Sequence, residues 1–146
     1  MAVKPIPEGY HCVTPHLTVP GVAKLIEFLK AAFDAKELGR HATPDGGIMH
    51  AEVRIGDSVV MMGEPRSGGA PMPTMLYLYV PDIDAVYRRA VQAGGVSLME
   101  PADQFYGDRK AGVRDPSGNQ WWIATHTEDV APAEMAKRAE AFAKKK

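Results

Sequence analysis

The chain repeats one pattern of strands and a helix, and this internal repeat limits its fold more than any other feature. Residues 17–22 read Leu-Thr-Val-Pro-Gly-Val, and residues 78–83, which lie 61 positions later, read Leu-Tyr-Val-Pro-Asp-Ile. At the same interval Leu25 corresponds to Val86. A repeated supersecondary unit predicts two similar modules that share a sheet or a cavity.

Each half of the repeat predicts the order strand, helix, strand, strand, strand. The helices are expected where apolar residues recur at helical spacing, and the strands where β-branched or aromatic residues lie between turn residues. In the first half the helix is predicted over 22–33 and the strands over 14–19, 37–43, 49–55 and 58–63. In the second half the helix runs from Asp82 to about residue 94, and the strands cover 75–80, 96–100, 109–114 and 120–126.

The segment Asp115-Pro116-Ser117-Gly118-Asn119 predicts the turn between the last two strands. Proline fixes φ, glycine permits positive φ, and Asp and Asn hydrogen-bond nearby backbone groups. The loop over residues 101–108 is long enough to act as a lid. After the repeat, a helical tail is expected from Pro132, which could dock on its own domain or on a second subunit.

Charge and composition exclude several classes of function. The net charge of −1 gives no electrostatic reason to expect nucleic acid as a partner. No apolar run reaches the ~18 residues of a membrane span, so we expect no membrane partner and a cytoplasmic location. Cys12, the single cysteine, excludes an internal disulfide, and we expect it to pack beside the first strand rather than act as a nucleophile.

These observations predict an α+β fold of two tandem βαβββ modules that form an open, barrel-like mixed sheet around a cavity, with the helices outside. We expect residues 1–9 to form an arm and residues 10–130 a single domain. Within that domain, module one covers 10–64, a linker 65–73 and module two 74–127. Residues 128–146 form the tail.

The doubled module and several motifs resemble the vicinal oxygen chelate superfamily, which includes glyoxalase I, extradiol dioxygenases and bleomycin-resistance proteins. The similarity is greatest to its PhnB-like branch. The sequence departs from that branch at Leu29, where tyrosine is common, and at Asp34, where glycine is common. The motifs that carry the resemblance are residues 13–17, 26–28, 50–59, 106–109, 115–119 and 122–126.

The resemblance implies four positions for a divalent metal, because metal-dependent members use one residue from the first and one from the last strand of each half. In this sequence the positions fall on Thr14, Met61, Met75 and Trp122, and the register at Met61 is defined to within one residue. Thioether sulfur suits soft metals, and indole offers no lone pair. We therefore expect no metal and no other cofactor, and instead an apolar, polarisable pocket for an organic ligand.

Strand alternation puts further candidates on the same faces as these four positions. Tyr77 and Tyr79 either hydrogen-bond a ligand through their hydroxyls or only line the cavity with their hydrophobic rings. Tyr106 lies in the predicted lid. Arg109 either binds an anionic group of the ligand or forms a salt bridge with Asp108 or with Asp115.

Histidines supply the candidates for acid–base chemistry. His16 has a reference pKa that allows both roles; the alternative, which we favour, is a hydrogen bond at the pocket rim or at a subunit interface. His50 and Glu52 are two residues apart on one strand, so the carboxylate could orient the imidazole. The alternative is a polar pair at the surface or between subunits.

Three functions are compatible with the sequence, in order of preference. The first is metal-free binding of a small, partly aromatic or apolar molecule. The second is a glyoxalase-type lyase or isomerase that uses His16 or the His50–Glu52 pair. The third is a protein whose pocket has no physiological ligand. In each case we expect a homodimer, because proteins that this chain resembles pair modules within or between subunits.

Overall fold

The computed structural model describes residues 2–145 and contains the two predicted βαβββ modules. Module one consists of β1 (His16–Thr18), α1 (Val22–Phe33), β2 (Lys36–Ala42), β3 (Ile48–Ile55) and β4 (Ser58–Gly63). Module two consists of β5 (Met75–Tyr79), α2 (Ile83–Gln92), β6 (Val96–Asp103), β7 (Asp108–Arg114) and β8 (Gln120–His126). Helix α3 (Pro132–Lys144) follows. The predicted α+β module pair is therefore confirmed.

Each module forms its own four-stranded mixed sheet, in the order β1-β4-β3-β2 and β5-β8-β7-β6, and the two sheets do not close into a barrel. The strand registers reproduce the repeat. His16 pairs with Met61 in module one, and Tyr77 pairs with Trp122 in module two. Each residue of the second pair therefore lies 61 positions after its counterpart in the first pair. Met61 and Trp122 are therefore equivalent positions on the two sheets.

One face of each sheet is buried in a core that the two modules share. Helix α1 buries its apolar stripe, and Phe33 at its end contacts the ring of Trp121 on β8, with centroids 5.1 Å apart. Helices α1 and α2 pack against each other. The other face of each sheet lies outside this core. We call these open face one (His16, Thr18, His50, Glu52 and Met61) and open face two (Tyr77, Tyr79, Asp108, Lys110, Trp122 and His126).

The end of α1 explains one departure from the resembling branch. Asp34 follows the helix with a φ of 57°, in the left-handed region that favours glycine. Aspartate tolerates this conformation better than most residues, and its carboxylate here also lies 3.2 Å from Arg89 of α2. Asp34 therefore ends α1 and links the two modules.

The turn between β7 and β8 is organised by the buried carboxyl of Asp115. It accepts hydrogen bonds from the backbone N–H groups of Ser117 and Asn119, from the Asn119 side chain and from the Trp121 indole, at 2.8–3.0 Å. Asn119 in turn accepts from the backbone of Thr74. The Ser117 hydroxyl donates to the Pro20 carbonyl, so the turn also joins the two modules.

Two expectations were wrong. The loop proposed as a lid is short, because β6 continues to Asp103 and leaves only residues 104–107 before β7. Cys12 is exposed rather than packed beside β1.

The tail docks on its own chain. The ring of Phe142 in α3 contacts Phe105, and Arg138 donates to the Phe105 carbonyl and to Glu128. Helix α3 thereby covers the short loop between β6 and β7. Over residues 2–145, no helix is both long and apolar enough to cross a membrane.

Candidate functional site

Open face two is built around an indole ring that lies flat on the sheet. Trp122 is opposite Gly112 of β7 on one side and Tyr77 of β5 on the other. A Cβ atom at Gly112 would lie 2.6 Å from the Trp122 ring, so the indole occupies the space that only glycine leaves free. The indole nitrogen donates to Gln120, 3.1 Å away. These contacts hold an aromatic surface in a fixed orientation.

Next to this surface, the buried carboxylate of Asp108 collects hydrogen bonds from three side chains. The hydroxyls of Tyr77 and Tyr79 donate to one oxygen at 2.8 and 2.9 Å, and His126 Nδ1 lies 2.9 Å from the other. Burial by itself raises the pKa of Asp108, but the hydrogen bonds from His126, Tyr77 and Tyr79 outweigh it and hold that pKa below its usual value. Asp108 is therefore the negative centre that fixes both tyrosines.

The same network changes the titration of its partners. Burial, followed by the hydrogen bond to Asp108, raises the pKa of Tyr77. The second ring nitrogen of His126 lies 2.7 Å from Asp129, so the imidazole sits between two carboxylates. Asp108 first and Asp129 second raise the pKa of His126. His126 is thus held by two carboxylates through hydrogen bonds from both ring nitrogens.

Lys110 extends over the aromatic side chains of open face two. Its ammonium nitrogen lies 5.9, 5.4 and 5.1 Å from the ring centroids of Tyr77, Tyr106 and Trp122. Aromatic faces attract cations at such distances. Tyr106 reaches this face from the short loop after β6, so the structure brings it together with the predicted Trp122 and Tyr77.

Open face one has a polar centre. His50 Nε2 lies 3.1 Å from Glu52, as predicted for neighbours on one face of a strand. The phenol of Tyr10, in the N-terminal segment, donates to the same carboxylate. Tyr10 first and His50 second lower the pKa of Glu52, while the hydrogen bond to Glu52 raises the pKa of Tyr10. His16 adds a second imidazole, with its ring centroid 6.0 Å from that of His50.

Two cavities flank this centre. One, of about 300 Å³, lies between the N-terminal segment and the sheet and is lined by Tyr10, Thr14, Glu52 and Met61 among others. The other, of about 540 Å³, is lined by His16, His50 and the neighbouring strand and loop residues. The structure therefore groups the acid–base candidates on module one and the aromatic candidates on module two.

The four positions that the resemblance implies for a metal do not fit one. Met61 and Thr14 line the smaller cavity, Met75 is 64% exposed on β5, and Trp122 lies on Gly112. A hydroxyl, two thioethers and an indole form a poor donor set for a hard or borderline divalent ion. Within residues 2–145, no group of three His, Cys, Asp or Glu side chains is arranged to hold a metal ion.

Arg109 does not join the predicted site. Its guanidinium is bound by Asp84 of α2, at 3.0 Å from Nε and 3.1 Å from Nη2, and by Asp103 of β6 at 3.3 Å. The predicted partners Asp108 and Asp115 were wrong, because Arg109 points to the opposite side of β7 from Asp108. Its hydrogen-bonding capacity is used within module two.

The comparisons with known proteins agree with this architecture. The sequence profile described as "Glyoxalase/Bleomycin resistance protein/Dioxygenase superfamily" matches residues 10–123. The chain belongs to this superfamily. It is 37% identical over 129 residues to uncharacterized proteins of Mycobacterium bovis and Mycobacterium tuberculosis, covering 81% of this chain and 85% and 76% of theirs.

Several solved structures share the fold. TioX from Micromonospora sp. ML1 is 27% identical, with a TM-score of 0.63 over 78% of this chain and 95% of that one. A PhnB protein from Bacillus cereus, described as a putative 3-demethylubiquinone-9 3-methyltransferase, is 19% identical, with a TM-score of 0.65 over 79% of this chain and 99% of that one. The resemblance to the superfamily is confirmed, and a PhnB protein is among the structural neighbours.

Three residues of the two faces were missed in the sequence. Tyr10 lies at the start of module one, before its first strand, and its partner Glu52 is 42 positions away. Asp108 and Lys110 alternate with Arg109 on β7, and the same strand alternation that selected Tyr77 and Tyr79 could have selected them. Arg109 was predicted instead, because a guanidinium binds anions well, but it lies on the opposite face of this strand.

Proposed function

We propose that this protein binds a small, partly aromatic molecule on open face two without a metal ion. The observation that carries the proposal is the Trp122 indole, which lies flat on Gly112 where a metal ligand would be expected. Tyr77 and Tyr79 lie beside it, 40% and 59% exposed. Planar aromatic groups gain dispersion and stacking energy on such a surface, whereas the indole offers no lone pair to a metal ion.

We further propose that the protein is a homodimer. Large apolar side chains are exposed on these sheets, including Met49 at 52% and Met75 at 64%. Contiguous exposed apolar surface on a folded domain marks an interaction site. Light scattering coupled to size-exclusion chromatography should give twice the mass of 15.8 kDa for one chain, and a monomer at micromolar concentration would contradict this proposal.

Binding is tested by titration calorimetry with 2-naphthamide, a neutral planar probe. We expect saturable binding that is unchanged by EDTA, strongly weakened in Trp122→Ala and retained in Trp122→Phe, because phenylalanine keeps an aromatic face. Trp121, the other tryptophan, is buried in the core and does not contribute to this surface. Absence of binding, binding that requires a divalent ion, or equal affinity in Trp122→Ala would contradict the proposal.

A second candidate function is a lyase or isomerase of the glyoxalase type, favoured by the hydrogen-bonded cluster of His50, Glu52 and Tyr10 with His16 nearby. A carboxylate that accepts from both a phenol and an imidazole is held in position to orient the imidazole for proton transfer. If a substrate is found, Glu52→Gln should lower kcat and alter its pH profile, with Glu27→Gln on α1 as a control. An unchanged kcat and pH profile in Glu52→Gln would remove this candidate. A pocket without any physiological ligand is the third candidate.

A further inference from the structure

We propose that the ligand of open face two is a planar aromatic anion, such as an aryl carboxylate, and that Lys110 binds its negative group. This inference rests on the proposed function, which requires only a partly aromatic ligand. It adds the charge of the ligand and a residue that selects for that charge.

The first observation is the position of Lys110. Its ammonium lies within 6 Å of the centroids of three aromatic rings, which come from β5, β8 and the short loop after β6. The negative faces of aromatic rings attract an ammonium, but they do not neutralise its charge and accept hydrogen bonds only weakly. The rings therefore hold Lys110 beside the proposed stacking surface while leaving its charge uncompensated.

The second observation is the distribution of the neighbouring negative charges. Asp108, two residues before Lys110 on the same face of β7, already accepts from Tyr77, Tyr79 and His126. Across residues 2–145, no hydrogen bond or ion pair involves the Lys110 ammonium. The Asp108 carboxylate is thus engaged by other side chains, and the ammonium keeps its three N–H donors for an external acceptor.

Arg109, which directly precedes Lys110, lies in a different environment. Its guanidinium is bound by the carboxylates of Asp84 and Asp103 on the other side of the strand. Adjacent cations on one strand therefore have opposite environments, one paired with acids and one placed over aromatic rings on an open face. The first arrangement stabilises the fold, and the second leaves a cation available for a ligand.

The chemistry of the ligand follows from combining the two features. A ring stacked on Trp122 and beside Tyr77 lies next to the Lys110 ammonium, so a carboxylate or phenolate on that ring can accept a charge-assisted hydrogen bond. A partly buried surface strengthens this attraction relative to open water. A cationic ligand would be repelled by Lys110, and a neutral one would offer the ammonium at most an uncharged acceptor.

The test compares three probes with one ring system in titration calorimetry at low salt: 2-naphthoate, 2-naphthamide and a 2-naphthyl trimethylammonium salt. In the unmodified protein we expect 2-naphthoate to bind about tenfold more tightly than 2-naphthamide, and the cation to bind most weakly. In Lys110→Met the ratio of the two dissociation constants should fall to about one. Lys110→Arg should keep the preference for the anion.

A matched control removes a lysine of the same charge elsewhere. Lys24 is exposed on α1, and Lys24→Met should leave the preference for the anion unchanged, which separates a local contact from a general effect of net charge. The inference is overturned if the naphthoate and the naphthamide bind equally, if the cation binds most tightly, or if Lys110→Met keeps the preference. Equal binding of the two probes leaves the proposed function intact, whereas no binding of any probe overturns both.

Discussion

Replacing Asp115 with alanine removes the acceptor around which the β7–β8 turn is built. Four donors lose their partner: the backbone N–H groups of Ser117 and Asn119, the Asn119 amide and the Trp121 indole. Asn119 and Trp121 are 0% and 2% exposed, so water cannot replace the lost acceptor at their side chains without a change in structure.

The expected cost follows from these contacts. A buried donor left without an acceptor costs ~1–3 kcal/mol, so the two buried side chains alone give ~2–6 kcal/mol. The turn's backbone donors add less where they can reach water. We expect Asp115→Ala to lower the free energy of unfolding by ~4 kcal/mol, a large part of the 5–15 kcal/mol that is typical of a domain.

Urea unfolding followed by far-ultraviolet circular dichroism measures this loss. With a slope of ~1–3 kcal/mol/M, the midpoint should fall by about 2 M. Asp57→Ala is a matched control, because Asp57 lies in the corresponding turn of module one, is exposed and, among residues 2–145, its carboxylate accepts a hydrogen bond only from Ser58. It should cost less than ~0.5 kcal/mol.

If Asp115→Ala does not fold, Asp115→Asn provides the second measurement. Its amide keeps one oxygen acceptor but places an NH₂ group against donors, so an intermediate loss of ~1–3 kcal/mol is expected. A loss below ~1 kcal/mol in Asp115→Ala, or an equal loss in Asp57→Ala, would refute the reasoning that the buried acceptor organises the turn.

Three further predictions concern the open faces. Gly112→Val should displace the Trp122 indole, weaken binding of 2-naphthamide at least tenfold and destabilise the fold by ~1–3 kcal/mol, as measured by calorimetry and urea unfolding; unchanged affinity would show that the indole need not lie on β7. Since Asp108 and Asp129 raise the pKa of His126, the stability from these contacts is fully present below pH ~6.5 and is lost as the pH rises through the raised pKa. The difference in Tm between the unmodified protein and His126→Gln should therefore shrink as the pH rises from 6 to 9, and a constant difference would contradict this sign. Stripping the protein with EDTA should leave its Tm unchanged, and a drop that zinc or manganese restores would reopen the question of a metal site.

The local pattern of residues predicted most of the secondary structure because it depends on local geometry. Apolar spacing over 22–33 gave α1 with the observed bounds, since a helix needs one continuous buried stripe. The repeat placed Met61 and Trp122 at equivalent positions, and the strand registers agree. The end of β6 was placed too early, because Pro101 suggested a loop where the edge strand tolerates a proline.

Long-range partners were harder to predict because they depend on how strands and modules pair. Arg109 pairs with Asp84, 25 positions away, and with Asp103, rather than with the predicted Asp108 or Asp115. Alternation along a strand gives two faces, and only the packing of α2 decides which cation meets a carboxylate. The same packing decides that Lys110 faces aromatic rings.

The amino-acid sequence by itself determined the two-module fold, the turn at residues 115–119 and the poor metal-binding chemistry at Thr14, Met61, Met75 and Trp122. These properties follow from periodicity and from the atoms that each side chain carries. Only the tertiary structure decided that Trp122 lies on Gly112 and that Lys110 lies over three rings, because these contacts join strands and a loop that are distant in sequence.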